Sequence, residues 1–251
     1  MSTVEIAKRN LVIANRILAN EGVVDAYGHV SMRHPLHRNR YLLSRSRSPE
    51  LVDVGDIIEF EQDGTPINDN RPPYLERFIH GAIYEARPDV FAVVHSHADE
   101  VLPFGISRTR LRPVVHTAGC LGHHIGIWDI RDKFGDTNLL VTNMEQGRDL
   151  ARSMGNRDRV SLMRGHGFAA AGPSLAEVVR ISVYMPKNAR TLTTALQLGE
   201  VTSLSDGEID KLMVSRPDAP EWWRAWEYWA KRAGCADLLA DPASLKPPTY
   251  D

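Results

Sequence analysis

Two histidines of the sequence stand where they could bind one metal ion. His95 and His97 end the apolar run of residues 91–94 as a His-Ser-His triplet. Residues i and i+2 of a β-strand point to the same side, so both imidazoles could face one point in space. Imidazole nitrogen is a common protein ligand for zinc and similar cations. The triplet alone also fits a structural role, with one histidine buried and the other in solvent.

A third histidine and a glutamate extend this candidate site. His166 lies between two glycines, directly after the strand-like residues 160–163, and glycine lets the backbone turn sharply there. Glu76 occupies the first turn of a predicted helix, one turn before His80. Taken singly, these residues fit a histidine in a turn and a carboxylate that interacts with the helix dipole. Together, three histidines and a glutamate predict an open catalytic metal site with room for water or substrate.

The hydrophobic pattern predicts the elements that must position these residues. Helical spacing covers residues 4–20, 75–86, 147–154 and 175–198, with Pro72 and Pro73 introducing the second helix and Pro186 predicting a kink or break in the last. Strand-like segments cover residues 28–33, 41–43, 57–61, 90–94, 113–116, 138–142 and 160–163. Early helices, many short strands and later helices predict an α/β layered domain.

The sequence changes character after residue 204. Residues 218–239 carry four of the five tryptophans, and Trp222, Trp226 and Trp229 share one helical face. We therefore expect an amphipathic helix that packs either within the chain or at a subunit contact, where aromatic residues are also enriched. The predicted organisation is a catalytic domain at residues 1–204 and a Trp-rich helical extension at residues 205–251.

The composition limits the classes of partner. A formal net charge of −2 gives no reason to expect nucleic acid or an anionic membrane surface. Two cysteines do not indicate a disulfide framework. No segment approaches the ~18 apolar residues of a membrane helix, and the first residues lack the apolar core of a signal peptide. We expect a cytoplasmic protein that binds neither nucleic acid nor membranes.

The motifs together resemble the class II aldolase and adducin head family over residues 5–200. They are Gly28-His29-Val30-Ser31-Met32-Arg33, Glu76 with His80, Ala92-Val93-Val94-His95-Ser96-His97, and Arg164-Gly165-His166-Gly167. The resemblance implies a three-layer α/β/α fold with a largely antiparallel central sheet. It also implies one divalent metal ion per subunit, Zn²⁺ or Mn²⁺, bound by the three histidines, with Glu76 as an acid/base that can touch the metal. Family members are commonly tetramers with sites at subunit interfaces, so we expect a homo-oligomer, a tetramer or a multiple of one.

The chain departs from the sugar-phosphate aldolases of this family at the phosphate site. His29 stands in place of an asparagine, and Pro72, Pro73 and Tyr74 replace the segment that carries a serine pair. Proline has no N–H to offer a phosphate, and tyrosine is bulky. Arginines at positions 45 and 47 offer planar guanidinium groups for a carboxylate, the alternative being a solvated basic loop. The expected substrate-binding residues are Arg45, Arg47, His29, Ser31 and Tyr74.

Residues 113–119 and 128–137, with residues 76–80, resemble the decarboxylase branch of the family. That branch acts on hydroxylated aromatic or pyridine dicarboxylates and on carboxylated muconic semialdehydes. It implies a lyase that decarboxylates a small carboxylate through an enolate or phenolate whose charge the metal stabilises. The candidate proton donors are Glu76, His80 and His116. The alternatives are an aldolase or dehydratase acting on a sugar phosphate or hydroxy-keto acid, and a non-enzymatic adducin-like binding domain.

Overall fold

A computed structural model describes residues 1–214 and 220–250 and places a seven-stranded sheet at the centre of the fold. The strand order is β3-β2-β1-β4-β7-β6-β5, and every neighbouring pair is antiparallel except β5 with β6. The strands are β1 (His29–Arg33), β2 (Arg40–Ser44), β3 (Ile57–Glu61), β4 (Ala92–Ser96), β5 (Gly126–Trp128), β6 (Val160–Met163) and β7 (Gly167–Gly172). The largely antiparallel sheet that the resemblance implied is therefore confirmed.

Helices cover both faces of the sheet. Within the described residues they are α1 (Thr3–Asn20), α2 (Arg77–Ala86), α3 (Leu102–Ile106), α4 (Arg131–Phe134), α5 (Met144–Ser153), α6 (Leu175–Leu198), α7 (Asp206–Met213) and α8 (Pro220–Arg232). Successive residues of β4 point to opposite faces, so Val94 joins the hydrophobic core under α1, α6 and α8. Val93 joins a second core under α2 and α5. Two cores separated by one sheet give the three-layer α/β/α architecture.

Strand β7 lies against β4 at a spacing that only glycine permits at its first residue. A Cβ atom added to Gly167 would stand 2.0 Å from the backbone oxygen of Ser96, closer than real contacts allow. The glycine thus lets the turn that carries His166 approach the end of β4. Small residues of low strand propensity fill β7, and the pairing with β4 and β6 holds them extended.

The structure confirms the four helices predicted before residue 200 and corrects their details. The second helix begins at Arg77, so Glu76 occupies the N-cap position rather than the first turn, and Leu75 lies outside the helix with 64% of its surface exposed. Helix α6 continues through Pro186 in one 24-residue element, so Pro186 does not break the helix.

Two predicted strands are wrong, and two strands were missed. Residues 113–116 lead into a 3₁₀ helix at His116–Leu121, and residues 138–142 form no strand because Leu139 turns the backbone with φ of 67°. The short β5 and the alanine-rich β7 lack the alternating or β-branched pattern by which strands are recognised.

The Trp-rich helix packs inside the chain. Trp226 and Trp229 are 1% and 5% exposed, and they join the core that α1 and α6 also form. Intrachain packing is therefore confirmed for these two residues, while a role of the helix in subunit contacts and the domain boundary at residue 204 stay predictions. The first residues predicted for this segment, 218 and 219, lie outside the described part of the chain.

No helix among residues 1–214 and 220–250 is both long enough and apolar enough to cross a membrane.

Candidate metal centre

Four side chains predicted from the sequence converge on one point at the C-terminal end of β4. His95 belongs to β4, His97 follows its end, His166 lies in the turn between β6 and β7, and Glu76 precedes α2. The Nε2 atom of His97 is 2.9 Å from that of His95 and 3.1 Å from that of His166. Glu76 Oε2 lies 3.4 Å from the Nε2 atoms of both His95 and His166. All four ligand atoms lie within 4.8 Å of one another. We call these residues the four-residue cluster.

The donor atoms of the cluster fit a divalent cation. Two atoms that each lie about 2.1 Å from a shared ion stand about 3.0 Å apart at a right angle and about 3.4 Å apart at the tetrahedral angle. Four of the six separations in the cluster are 2.9–3.4 Å and the other two are no more than 4.8 Å, so the arrangement suits a cation with small movements of the side chains. His95 Nδ1 lies 3.1 Å from the carbonyl oxygen of Phe168. Because a carbonyl can only accept, Nδ1 carries the proton and Nε2 is left bare for a metal.

A backbone hydrogen bond holds the carboxylate of Glu76. The Oε1 atom of Glu76 accepts a hydrogen bond of 2.9 Å from the backbone N–H of Val141, which lies in the segment that the sequence predicted as a strand. Burial alone would raise the pKa of Glu76, but the imidazoles of His95 and His166 outweigh burial and hold this pKa well below its ordinary value. Glu76 is therefore an ionised carboxylate that lies among the three imidazoles of the cluster.

His97 is partly exposed, as is His166, whereas His95 and Glu76 are buried. Burial, followed by the neighbouring His95 and His166, lowers the pKa of His97 to about 4. Its imidazole is therefore neutral at pH 7, the form in which histidine binds a metal.

His80, expected as a proton donor, lies behind His29 rather than at the cluster. His80 Nε2 is 2.6 Å from His29 Nδ1, and His80 Nδ1 is 2.6 Å from Ser31 Oγ. Burial lowers the pKa of His80 to about 3, so this ring is neutral. The imidazole of His29 lies between His80 and the cluster, with its centroid 5.2 Å from that of His95.

Tyr84 belongs to the same buried network and was missed in the sequence. Its hydroxyl lies 2.7 Å from Ser31 Oγ. Tyr84 follows His80 by four residues on α2 and so lies on the same helical face. That spacing was the signal that could have identified it.

Arg45 and Arg47 already share a carboxylate partner. Arg45 Nε and Arg47 Nη1 each lie 2.7 Å from a different oxygen of Asp56. Burial would raise the pKa of Asp56, but the backbone N–H of Asp53 and the two arginines keep it below its ordinary value. Both arginines thus already pair with Asp56, and their role as a clamp for a substrate carboxylate stays a prediction. The sequence did not single out Asp56, because eleven residues separate it from Arg45.

Tyr74 connects this arginine loop to the cluster. Its hydroxyl donates a hydrogen bond to the backbone carbonyl of Arg47, and its ring lies 4.5 Å from that of His29, measured between centroids. His29, Ser31 and Tyr74 are therefore in one contiguous polar region, but Ser31 is fully buried and faces His80.

His116 lies apart from the four-residue cluster. It begins the 3₁₀ helix His116–Leu121 and lines a cavity of about 900 Å³ together with Arg180, Trp222 and Tyr228. None of the four cluster residues lines that cavity. Within one chain, the structure does not bring His116 to the candidate metal site.

The chain is similar to a known domain family and to several known proteins. The sequence model of the Class II Aldolase and Adducin N-terminal domain matches residues 9–193. Decarboxylase tropJ of Talaromyces stipitatus is 37% identical over 215 residues, which cover 80% of this chain and 81% of that protein. A 3,4-dihydroxyphthalate decarboxylase of Terrabacter sp. is 29% identical over 91% of this chain and 98% of that protein.

Solved structures share the fold. An aldolase II superfamily protein from Pseudomonas syringae superposes with a TM-score of 0.77 and covers 95% of this chain and 96% of its own. Its sequence is 18% identical, and at that identity the likeness shows the fold alone.

The first prediction concerns metal binding. After loading with metal and desalting, the protein should retain about one divalent ion per chain by elemental analysis. The His97→Ala variant should bind the metal more than about 100-fold more weakly in calorimetry, which is a larger loss than removal of a residue that only orients a ligand would cause. His116→Ala should bind as tightly as the wild type, because His116 lies outside the cluster. A triple alanine variant of His95, His97 and His166 that retains the full amount of metal would contradict the site.

The second prediction concerns the stability of the metal-free protein. An unfolded histidine takes up a proton near pH 6.5, whereas folded His80 stays neutral down to a pKa of about 3. The unfolded state therefore gains protons first, and lowering the pH from 7 to 5 should cost about 2 kcal/mol of unfolding free energy through His80. Urea unfolding of His80→Gln should lack this loss, while the exposed control His37→Gln should keep it. An identical pH dependence in all three proteins would refute the assignment.

Proposed function

Because the chain belongs to the class II aldolase and adducin N-terminal domain family, we propose that it is a metal-dependent lyase that removes a carboxyl group from a hydroxy-aromatic or closely related carboxylate. The observation that carries the proposal is the convergence of His95, His97, His166 and Glu76 on a point that a cation fits. The decarboxylase relatives favour loss of carbon dioxide over the other reactions of the family.

Decarboxylation leaves an electron pair on carbon, and that pair needs a place to delocalise and then a proton. A divalent cation, Zn²⁺ or Mn²⁺, held by the three histidines would supply a Lewis acid that withdraws electron density from adjacent substrate oxygens. Histidine nitrogens with one carboxylate suit either ion.

Glu76 is the proposed acid/base. As an ionised carboxylate it accepts the proton of the substrate hydroxyl on Oε2, while the N–H of Val141 keeps Oε1 in place. The carbon–carbon bond to the carboxyl group then breaks, carbon dioxide leaves, and its bonding pair stays on the substrate carbon. Glu76 returns the proton to that carbon, so that the carboxylate is regenerated and no other reactant is required.

The segment before Glu76 disfavours a phosphate substrate. Tyr74 fills the space beside His29, and Pro73 is bridged to Arg45 through the backbone. We propose that the guanidinium nitrogens of Arg45 and Arg47 that do not contact Asp56 recognise a second substrate carboxylate. An aldolase or dehydratase reaction is the alternative outcome of the substrate test below. A purely structural role is disfavoured because a binding domain needs no converging metal ligands.

The protein is also proposed to be a homo-oligomer, a tetramer or a multiple of one. Tyr27 and Leu75, which adjoin the cluster, are 69% and 64% exposed, and such apolar area is typical of surfaces that a partner covers. A second copy is also the means by which His116 could act in the reaction, since its own chain keeps it away from the cluster. The cytoplasmic location stays a prediction.

The third prediction is the reaction itself. With Zn²⁺ or Mn²⁺ bound, the protein should release carbon dioxide from one or more acids of a panel of dihydroxyphthalates and hydroxypyridine dicarboxylates. Glu76→Gln should lower turnover by about 10² to 10⁴-fold because the proton carrier is lost. Glu177→Gln is the matched control, since Glu177 is as buried as Glu76, with 7% exposed, but lies on α6. Aldehyde release from fuculose or ribulose phosphates, without carbon dioxide from any acid, would place the protein among the aldolases.

The fourth prediction is the assembly. Light scattering at micromolar concentration should give a mass of four chains or a multiple, and Leu75→Asp should reduce it because a charge at an apolar contact is costly to bury. Leu198→Asp is the control, because Leu198 is 86% exposed at the end of α6, away from the cluster. A monomer in the wild-type sample would remove the proposal.

A further inference from the structure

Four polar side chains form one buried chain that ends beside the metal cluster. Hydrogen bonds of 2.7, 2.6 and 2.6 Å join Tyr84 to Ser31, Ser31 to His80, and His80 to His29. Ser31 and His80 are fully buried, and Tyr84 and His29 are 2% and 4% exposed. Among the described residues, no carboxylate forms a hydrogen bond with any of these four side chains. The position of each proton is therefore decided by the hydrogen bonds among the four side chains.

The hydroxyl groups fix the direction of the first two hydrogen bonds. The proton of the Tyr84 hydroxyl has one acceptor among the described residues, Ser31 Oγ. Because the Ser31 hydroxyl accepts this hydrogen bond, it donates its own to His80 Nδ1, the other side chain within hydrogen-bond distance among the described residues. The reverse direction would leave the Tyr84 proton buried without a partner, which costs about 1–3 kcal/mol.

The imidazoles transmit this direction. Both rings are buried and neither forms a hydrogen bond with a carboxylate among the described residues, so no partner stabilises a second proton on either ring. A neutral imidazole has one N–H group. Because His80 Nδ1 accepts from Ser31, its proton is on Nε2 and is donated to His29 Nδ1. The proton of His29 is therefore on its own Nε2 atom.

The ring that carries this nitrogen lies beside the cluster, with its centroid 5.2 Å from that of His95. His29 is the register partner of His95 in the sheet, and Tyr74 packs against its ring. His29 Nε2 has no hydrogen-bond partner among the described residues, and it is not among the polar atoms that are sealed from solvent. The Nε2–H group of His29 is thus a hydrogen-bond donor beside the cluster that has no acceptor among the described residues.

We propose that the buried chain of Tyr84, Ser31 and His80 fixes His29 as the Nε2–H tautomer, so that His29 donates a hydrogen bond to an anionic substrate oxygen next to the metal site. The identity of the acceptor as a substrate rests on the proposed function, whereas the tautomer does not. Ser31 and His80 then act as positioning residues that do not touch the substrate. His29, for its part, is neither a metal ligand through Nε2 nor a base.

The tautomer is measurable without any substrate. In zinc-loaded protein labelled with ¹⁵N-histidine, the long-range ¹H–¹⁵N spectrum separates protonated from bare ring nitrogens, and His29→Gln and His80→Gln assign the signals. The expected pattern is a protonated Nε2 and a bare Nδ1 for both His29 and His80. A protonated Nδ1 on His29 would overturn the inference, whatever reaction the protein catalyses.

Steady-state kinetics test the role of the donor, with the most active acid of the carboxylate panel as substrate. His29→Leu should lower kcat/KM by about 10 to 100-fold, the value of a hydrogen bond to a charged group, without loss of zinc affinity in calorimetry. His80→Leu should reproduce much of this loss, and His80→Gln should recover activity because an amide can accept from Ser31 and donate to His29.

Tyr41→Phe is the matched control for packing. Tyr41 is buried on β2 with its ring 5.7 Å from that of Tyr84, but its hydroxyl donates to the backbone carbonyl of Arg77 and takes no part in the hydrogen bonds that join Tyr84 to His29. This variant should keep both the tautomer and kcat/KM. If the tautomer is as expected but His29→Leu is fully active, His29 does not contact substrate and the proposal fails on that point. If no acid of the panel reacts, the proposed function fails while the spectrum still decides the tautomer.

Discussion

The pairing of β4 with β1 on one side and with β7 on the other is the constraint on which the candidate site depends. The pairing with β1 places His95 opposite His29, and the pairing with β7 places His95 opposite Ala169. The second pairing also brings the turn between β6 and β7 to the end of β4. The approach succeeds because Gly167 has no side chain to meet the backbone of Ser96. The carbonyl of Phe168 in β7 then selects the nitrogen that His95 leaves bare. Backbone pairing thus sets both the place and the protonation state of a ligand.

Burial gives the polar groups around this strand sharply different charges. The imidazoles of His29, His80 and His97 are held neutral because a charged ring would lose its hydration there. Glu76 is also buried but stays ionised, since the imidazoles of His95 and His166 outweigh the effect of burial on its pKa. A carboxylate beside three imidazoles is a donor set that suits a divalent cation. Burial also gives the hydrogen bonds of the neighbouring network a definite direction, because a buried proton without an acceptor is costly.

The site is supported by both cores of the fold rather than by the loops alone. Helix α2 carries His80 and Tyr84 on the face that packs against the sheet, so the apolar contacts of Ile79 and Ile83 also position the polar network. On the opposite side of the sheet, Trp226 joins the C-terminal helix to the core under β4. The C-terminal segment is therefore structurally continuous with the domain that bears the cluster.

The sequence by itself identified the candidate metal ligands, since a strand period of two places His95 and His97 on one side and the motif order relates them to His166 and Glu76. It also determined the main helices, because their apolar spacing is local information. It did not determine strand β7, whose alanines and glycines extend only through pairing with distant strands. Nor did it reveal that Asp56 joins the two arginines or that His80 lies behind His29. Those contacts unite residues far apart along the chain, and only tertiary packing decides which buried donor meets which acceptor.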